Sequence, residues 1–350
     1  MIYIFGWIIL LTALLLTALS GYRTRRFAGF ALLFFLFIAV FRGAVGTDTD
    51  TYETVDRLLN DGISWTGMEP GFVFMSWILV ELTGTASVAV RLVSVIIFVI
   101  LFLYLFRSDK NEKFLLLSYM LPAFVYQYTM NGLRIGIAAM LLLLAVQKLR
   151  RTERLSGLVL AVSALFFHYS SLVSLVFIWA SQARWTRASN ILIVPFACVM
   201  ILAVFSINGD YFVAKLLSYQ DSESPSPLSG LGKIAVLLVL VLGVGLSRLP
   251  STEKTKLVFL GAGFTVFFWL VSSISYAGLR FLDLVSFAYP LAILLTYSRC
   301  RLDFDRAIKL ILIFAGLLAA VSGYRNFVFE EGEGPSPFLP YHLSEQFFEL

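Results

Sequence analysis

Charge is scarce in this chain: 14% of its 350 residues are Asp, Glu, Lys or Arg, while 59% are hydrophobic. That balance lies well outside the composition of soluble domains and excludes both a water-soluble enzyme and a disordered chain. Histidine and cysteine number two each. Cys198 and Cys300 sit in or beside apolar runs more than a hundred positions apart, which offers neither a disulfide framework nor metal-ligand spacing. Two histidines cannot build a His-based metal centre, so no metal and no cofactor are expected. Long polar stretches are missing too. Runs of about 17 to 25 apolar residues, the length that crosses a hydrocarbon core as a helix, use up most of the chain. The expectation is an all-α polytopic membrane protein, one transmembrane domain over residues 1–350. The first twenty residues lack a basic start and a small-residue cleavage site, so Ile2 to Ser20 reads as a retained span.

The charges that are present are sorted. Apolar runs fall at roughly 2–20, 28–45, 86–106, 113–130, 132–149, 155–167, 169–181, 188–206, 231–247, 256–276, 281–298 and 307–323, about twelve crossings. Between them YRTRR, RSDKNEK, QKLRRTER, QARWTR, SRLPSTEKTK and SRCRLDFDRAIK lie on one side and hold 19 of the 27 Lys and Arg. That side is cytoplasmic by the positive-inside rule. The basic pI of 9.1 is therefore a topology signal and no sign of nucleic-acid binding. Loops 46–69 and 207–230 and a C-terminal tail, 324–350, fall on the outer face.

Residues 70–83, PGFVFMSWILVELT after Glu69, make about 21 Å of helix at 1.5 Å per residue, too short for a core of about 30 Å. They are expected as a re-entrant or interfacial helix starting at Pro70. Residues 155–181 are expected as two short helices breaking near His168, and Asn131 and Gly132 as a tight outer turn.

Polar residues that a solvated surface does not explain then gather at the outer face. They are Arg42 with the segment GTDTDTYETVD, which holds Asp48 and Tyr52, then Glu69, Arg91, Asn131 and Arg134. His168 in FFHYSS, Arg280 and Asp283 in YAGLRFLD, and the tail with Tyr341 complete the set. Singly, each has a plain structural reading: the acids cap helices or face water, an arginine near a helix end snorkels to the interface, and a lone histidine packs. Four arginines on one face weigh against that, because an ion toward the bilayer centre costs roughly 2.5–3.5 kcal/mol and usually meets a partner or lines a cavity. Arginine grips phosphate with a planar pair of donors, so the group suits a phosphorylated lipid headgroup. A carboxylate beside it suits removal of a hydroxyl proton while cations stabilise a departing phosphate. Aromatics such as Tyr52, Trp65, Tyr276 and Tyr341 could stack on sugar faces.

In order, Arg42, Gly46-Thr47-Asp48 with Tyr52, Glu69-Pro70-Gly71-Phe72, Asn131 to Arg134, Phe167-His168-Tyr169-Ser170 and Pro340-Tyr341 resemble the EpsG-like branch of the Wzy-type polysaccharide polymerases. The resemblance runs from about residue 40 to 341. It implies a GT-C-like membrane glycosyltransferase that polymerises undecaprenyl-diphosphate-linked repeat units of capsule, exopolysaccharide or O-antigen at the outer face of the bacterial cytoplasmic membrane. A chain-length regulator and a flippase would be its protein partners. With the resemblance, Arg134 and Arg280 become the first choice for diphosphate ligands and Arg42 and Arg91 the second. Tyr52, Asn131 and Tyr341 join the substrate-binding set. Glu69 is the first choice for general base and Asp48 its rival, with His168 orienting the diphosphate or the acceptor. Two other classes stay open. A flippase would line a cavity with charge and do no chemistry, and a membrane acyltransferase would use an outer-face histidine, although His168 has no Asp or Asn beside it in sequence.

Overall fold

A computed structural model of the chain describes residues 1–60, 68–183, 230–329, 331–334 and 336–344. Among these residues the chain is helical and has no strand, only one isolated antiparallel bridge between Arg42 and Leu343. Five helices are long and apolar enough to cross a membrane: α1 (Ile2–Leu19), α5 (Ala86–Arg107), α12 (Ser251–Ser272), α13 (Ala277–Arg299) and α14 (Arg306–Phe329). Five shorter apolar helices accompany them: α2 (Arg26–Val40), α4 (Pro70–Thr83), α9 (Arg154–Phe167), α10 (Ser171–Gln182) and α11 (Leu231–Leu246). Helix α8 (Leu133–Arg150) reaches 18 residues but carries Arg134, Lys148 and Arg150. The expected crossing at 188–206, the outer loop 207–229 and Trp65 lie outside the described residues.

Many outward side chains are large and apolar, Phe5, Ile8, Leu15 and Phe30 in the first two helices and Phe259, Phe267 and Leu270 in α12 among them. Exposed apolar surface on this scale fits lipid in place of water.

The chain divides into two compact units. The first holds Met1–Gln147, Leu155–His168 and Ala319–Leu350. The segment from Lys110 to Asn131 is one continuous run in four pieces, α6 (Lys110–Leu115), a π-turn (Leu116–Met120), α7 (Leu121–Tyr126) and a second π-turn (Gln127–Asn131). A capping box at Asp109 and Glu112 starts it. The second π-turn ends at Asn131, and the Gly132 N–H donates to the Gln127 carbonyl at 2.8 Å, closing the turn the sequence suggests. The second unit, Lys148–Arg154 and Tyr169–Leu318, is built round α13, which buries the run from Leu284 to Tyr297. The Tyr289 ring lies where a side-chain carbon on Gly261 of α12 would approach within 2.7 Å, and the Tyr289 hydroxyl donates to the Leu257 carbonyl at 3.1 Å.

Helix α4 begins at Pro70 and ends at Gly84 in left-handed conformation (φ 69°), and α9 and α10 break at His168, both as the sequence suggests. Among the boundaries that differ, three stand out. The apolar run to residue 45 stops being helix at Val40, because residues 41–46 turn to pair with the tail: the Gly43 N–H donates to the His342 carbonyl at 2.9 Å and the Ser344 N–H to the Phe41 carbonyl at 3.0 Å. The acidic segment expected as loop holds a 12-residue helix, α3 (Thr49–Asn60). The last helix runs on to Phe329.

Candidate active site

The site starts from how α4 begins. Pro70 is pre-set for the first helical turn and pushes the residue before it into extended backbone, and Glu69 sits at φ −63°, ψ 130°. Its side chain does not cap α4 and turns elsewhere. Gly71 then lets α4 approach the end of α9: a side-chain carbon there would meet the Phe166 carbonyl oxygen at 2.8 Å. This contact carries His168, two residues on, up to Glu69. Phe72 is buried against the Tyr52 ring, with centroids 5.5 Å apart.

Glu69 is 3% exposed and both its oxygens are engaged. Oε2 lies 2.7 Å from Arg134 Nη1 and Oε1 lies 3.0 Å from His168 Nδ1. Burial opposes ionisation of this carboxyl, but the hydrogen bond from His168 and the charges of Arg134 and His168 outweigh it and hold the group well below the usual carboxylate range. The Arg134 guanidinium also reaches Tyr52, whose phenol is pushed up by burial and acted on by Asp48. Carboxylate, guanidinium, imidazole and phenol thus meet from α4, α8, the end of α9 and α3.

Asp48 is held at the edge of this group by Asn131. The Asn131 Oδ1 accepts the Asp48 N–H at 2.8 Å and the Thr47 hydroxyl at 3.3 Å. Gly46 takes φ 100°, and a side-chain carbon there would come within 2.9 Å of the Met130 carbonyl oxygen, so only glycine fits this crossing. Asn131, itself buried, binds protein in this structure and positions Asp48.

Arg42 and Arg91, expected as second-choice diphosphate ligands, are turned inward. Arg42 is fully buried, its Nη1 bonded to the Ala39 carbonyl and, at 3.0 Å, to Ser94 Oγ. Arg91 donates to the carbonyls of Ser87, Gly43 and Arg42 and pairs with Glu53 at 2.5 Å. In this conformation both pin the 39–43 neck to α5 and reach no surface. Tyr341, expected at a sugar face, donates its hydroxyl to the Ile38 carbonyl at 2.9 Å and ties the tail to α2. Arg280 belongs to the second unit, where it is exposed with its guanidinium 5.9 Å over the Tyr276 ring, and Asp283 pairs with Lys233 at 2.6 Å. Among the described residues no three His, Cys, Asp or Glu side chains gather as a metal site.

Sequence reasoning missed three things: that Glu69 is the carboxylate partner of His168 across 99 positions, that Glu53 holds Arg91, and that Asp56 is buried in α3. Only the last left a trace, in the helical spacing of Tyr52, Val55 and Leu59.

Fold and site together define an all-helical membrane-type protein with a buried carboxylate, guanidinium and imidazole in contact. The chain belongs to the EpsG family, whose model matches residues 25–343. That membership places it among membrane proteins of the polysaccharide-polymerase type. No curated protein and no solved structure matches it.

Proposed function

We propose that the protein is a glycosyltransferase that polymerises lipid-linked oligosaccharide repeat units, moving the growing glycan from undecaprenyl diphosphate onto a hydroxyl of the next repeat unit. The observation that carries this reading is Glu69 held between Arg134 and His168. In the reaction the bond from the anomeric carbon to the diphosphate oxygen breaks and its electron pair leaves with the diphosphate. Arg134 stabilises that charge through its forked donors. The acceptor oxygen bonds the anomeric carbon and gives up its proton.

A carboxylate held below its ordinary range is a poor proton acceptor, so Glu69 acts best as the anion that orients His168 and steadies an imidazolium. In this scheme the proton then passes to His168 in its neutral form, with Asp48 as the rival acceptor at the edge of the group. The sorting of Lys and Arg supports a reaction at the outer face of the cytoplasmic membrane, where a flippase would deliver the donor and a chain-length regulator would end the polymer.

Purified protein incubated with lipid-diphosphate repeat units alone should yield a ladder of longer glycans. A membrane acyltransferase is the second reading, favoured because the structure supplies the carboxylate partner that His168 lacks in sequence. A deletion strain separates the two. Loss of a polymerase leaves single repeat units, whereas loss of an acyltransferase leaves full-length chains with altered decoration.

A further inference from the structure

Helix α3 presents three polar side chains inward. Tyr52 meets Arg134 of α8 and Glu53 meets Arg91 of α5, each a defined partner. Asp56, one turn further on, differs. It is 1% exposed, and neither of its oxygens, nor the buried hydroxyl of Ser76 in α4, has a partner at hydrogen-bond geometry. Around it Val55, Leu59 and Val73 form an apolar cluster covered by Met68. Of the other charged groups on α3 and on the elements packed against it, Asp50, Glu53 and Arg57 lie on α3 itself, Arg91 and Arg107 on α5, and Glu69 and Glu81 at the two ends of α4; Arg57 and Arg91 are both bound to Glu53. Among the described residues no cation neutralises Asp56.

We propose that Asp56 is a positioning residue that seats α3 on α4 as a neutral acid, and that its ionisation loosens the helix carrying Tyr52 to the site. A neutral carboxyl can donate to the Ser76 oxygen after a small rotation and tolerates an apolar surround. A bare carboxylate there is buried from solvent and meets no countercharge among the described residues, so the helix must lift to hydrate it. Burial pushes the carboxyl up to about 7, the nearby Ser76 hydroxyl draws it partly back, and the charge of Glu53 adds to the rise. The seat therefore responds across the neutral range, holding at lower pH and weakening as pH rises. Its effect on turnover rests on the polymerase reading; its effect on the helix does not.

The test follows the helix without using activity. In full-length protein in lipid nanodiscs, with Cys198 and Cys300 replaced by serine, a thiol reagent is applied to Leu59→Cys, on the buried side of α3, and to Leu58→Cys, on its exposed side. The ratio of their labelling rates cancels the reagent's own pH dependence. It should rise about tenfold from pH 6 to pH 8 and level off above, as expected for local opening linked to one carboxyl that titrates near 7 in the closed state. Adding Asp56→Asn should flatten it. A flat ratio in the parent, or the same rise with Asp56→Asn, overturns the proposal. Should Leu59→Cys fail to fold, melting serves instead: the wild type should lose thermal stability from pH 5 to 8 relative to Asp56→Asn, and parallel curves overturn the proposal equally. Loss of the glycan ladder with these responses intact would fault the polymerase reading alone.

Discussion

Two regions of the first unit each bury a carboxylate, and they treat it in opposite ways. At the start of α4, Glu69 is surrounded by a guanidinium and an imidazole and is held ionised. In the seam between α3 and α4, Asp56 faces a hydroxyl and aliphatic carbon and is pushed toward the neutral form. Burial is similar in the two places, so the partners decide. A buried ion costs several kcal/mol unless a countercharge offsets it, and only the first region supplies one. The first arrangement suits chemistry on a charged substrate, and the second suits a joint that can loosen.

The sharpest way to break the contrast is to remove the first carboxylate. Glu69→Ala leaves Arg134 and His168 without their shared anion and should cost about 3–5 kcal/mol of stability, together with all polymer, read by thermal unfolding and glycan gels. Glu69→Gln keeps the shape but removes the charge, and should retain most of the fold while elongation falls by at least about a hundredfold. Wild-type polymer length in Glu69→Gln would remove the site assignment.

Packing comes next. Gly71→Ala places a carbon against the Phe166 carbonyl and should cost about 1–3 kcal/mol while separating Glu69 from His168. Gly29→Ala, in the interior of α2 with nothing within 4 Å, is the matched control and should be neutral or slightly stabilising. Arg134→Lys keeps the charge and loses the fork, so elongation should drop about tenfold or more at normal protein level. Asn131→Ala removes the acceptor for Asp48 and Thr47 and should cost about 1–2 kcal/mol, with a smaller loss of activity.

The smallest effect is the most discriminating, because pH moves the two carboxylates in opposite senses. The depressed Glu69 contributes stability that is complete above the ordinary carboxylate range and is lost as pH falls below it. The raised Asp56 does the reverse: its penalty is absent in acid, grows as pH climbs from the ordinary range, and is complete above about 7. Melting profiles should therefore fall on both sides of a maximum, with Glu69→Gln flattening the acid limb and Asp56→Asn the alkaline one.

Much of this architecture was legible from local pattern. Pro70 announced the start of α4, and the polar break at His168 separated α9 from α10, because both are decided within a few residues. Helix α3 was hidden by its acids, which look like a solvated loop until Tyr52, Val55 and Leu59 are read at helical spacing. The early end of α2 could not be read at all, since Phe41 and Gly43 leave the helix to bond residues three hundred positions away. The site was half visible. Glu69, Arg134, His168, Asp48 and Tyr52 stood out by type and do meet, whereas Arg42 and Arg91 stood out equally and are consumed in holding backbone carbonyls. Residue type marks where charge is expensive, and long-range packing settles whether protein or substrate receives it.

The lacing of the tail onto the neck also sets an order of events during synthesis. Tyr341 reaches back to Ile38 and Tyr3 to Phe338, contacts that span 303 and 335 positions. Helices α1 and α2 therefore emerge and enter the bilayer long before the residues that lock them are made, and contacts of such separation are the slow ones to form. Asp48 follows the laced segment directly. Asn131 fixes Asp48 itself, but the backbone just before it bonds the tail, so this edge of the candidate site is complete only once the tail returns to the neck.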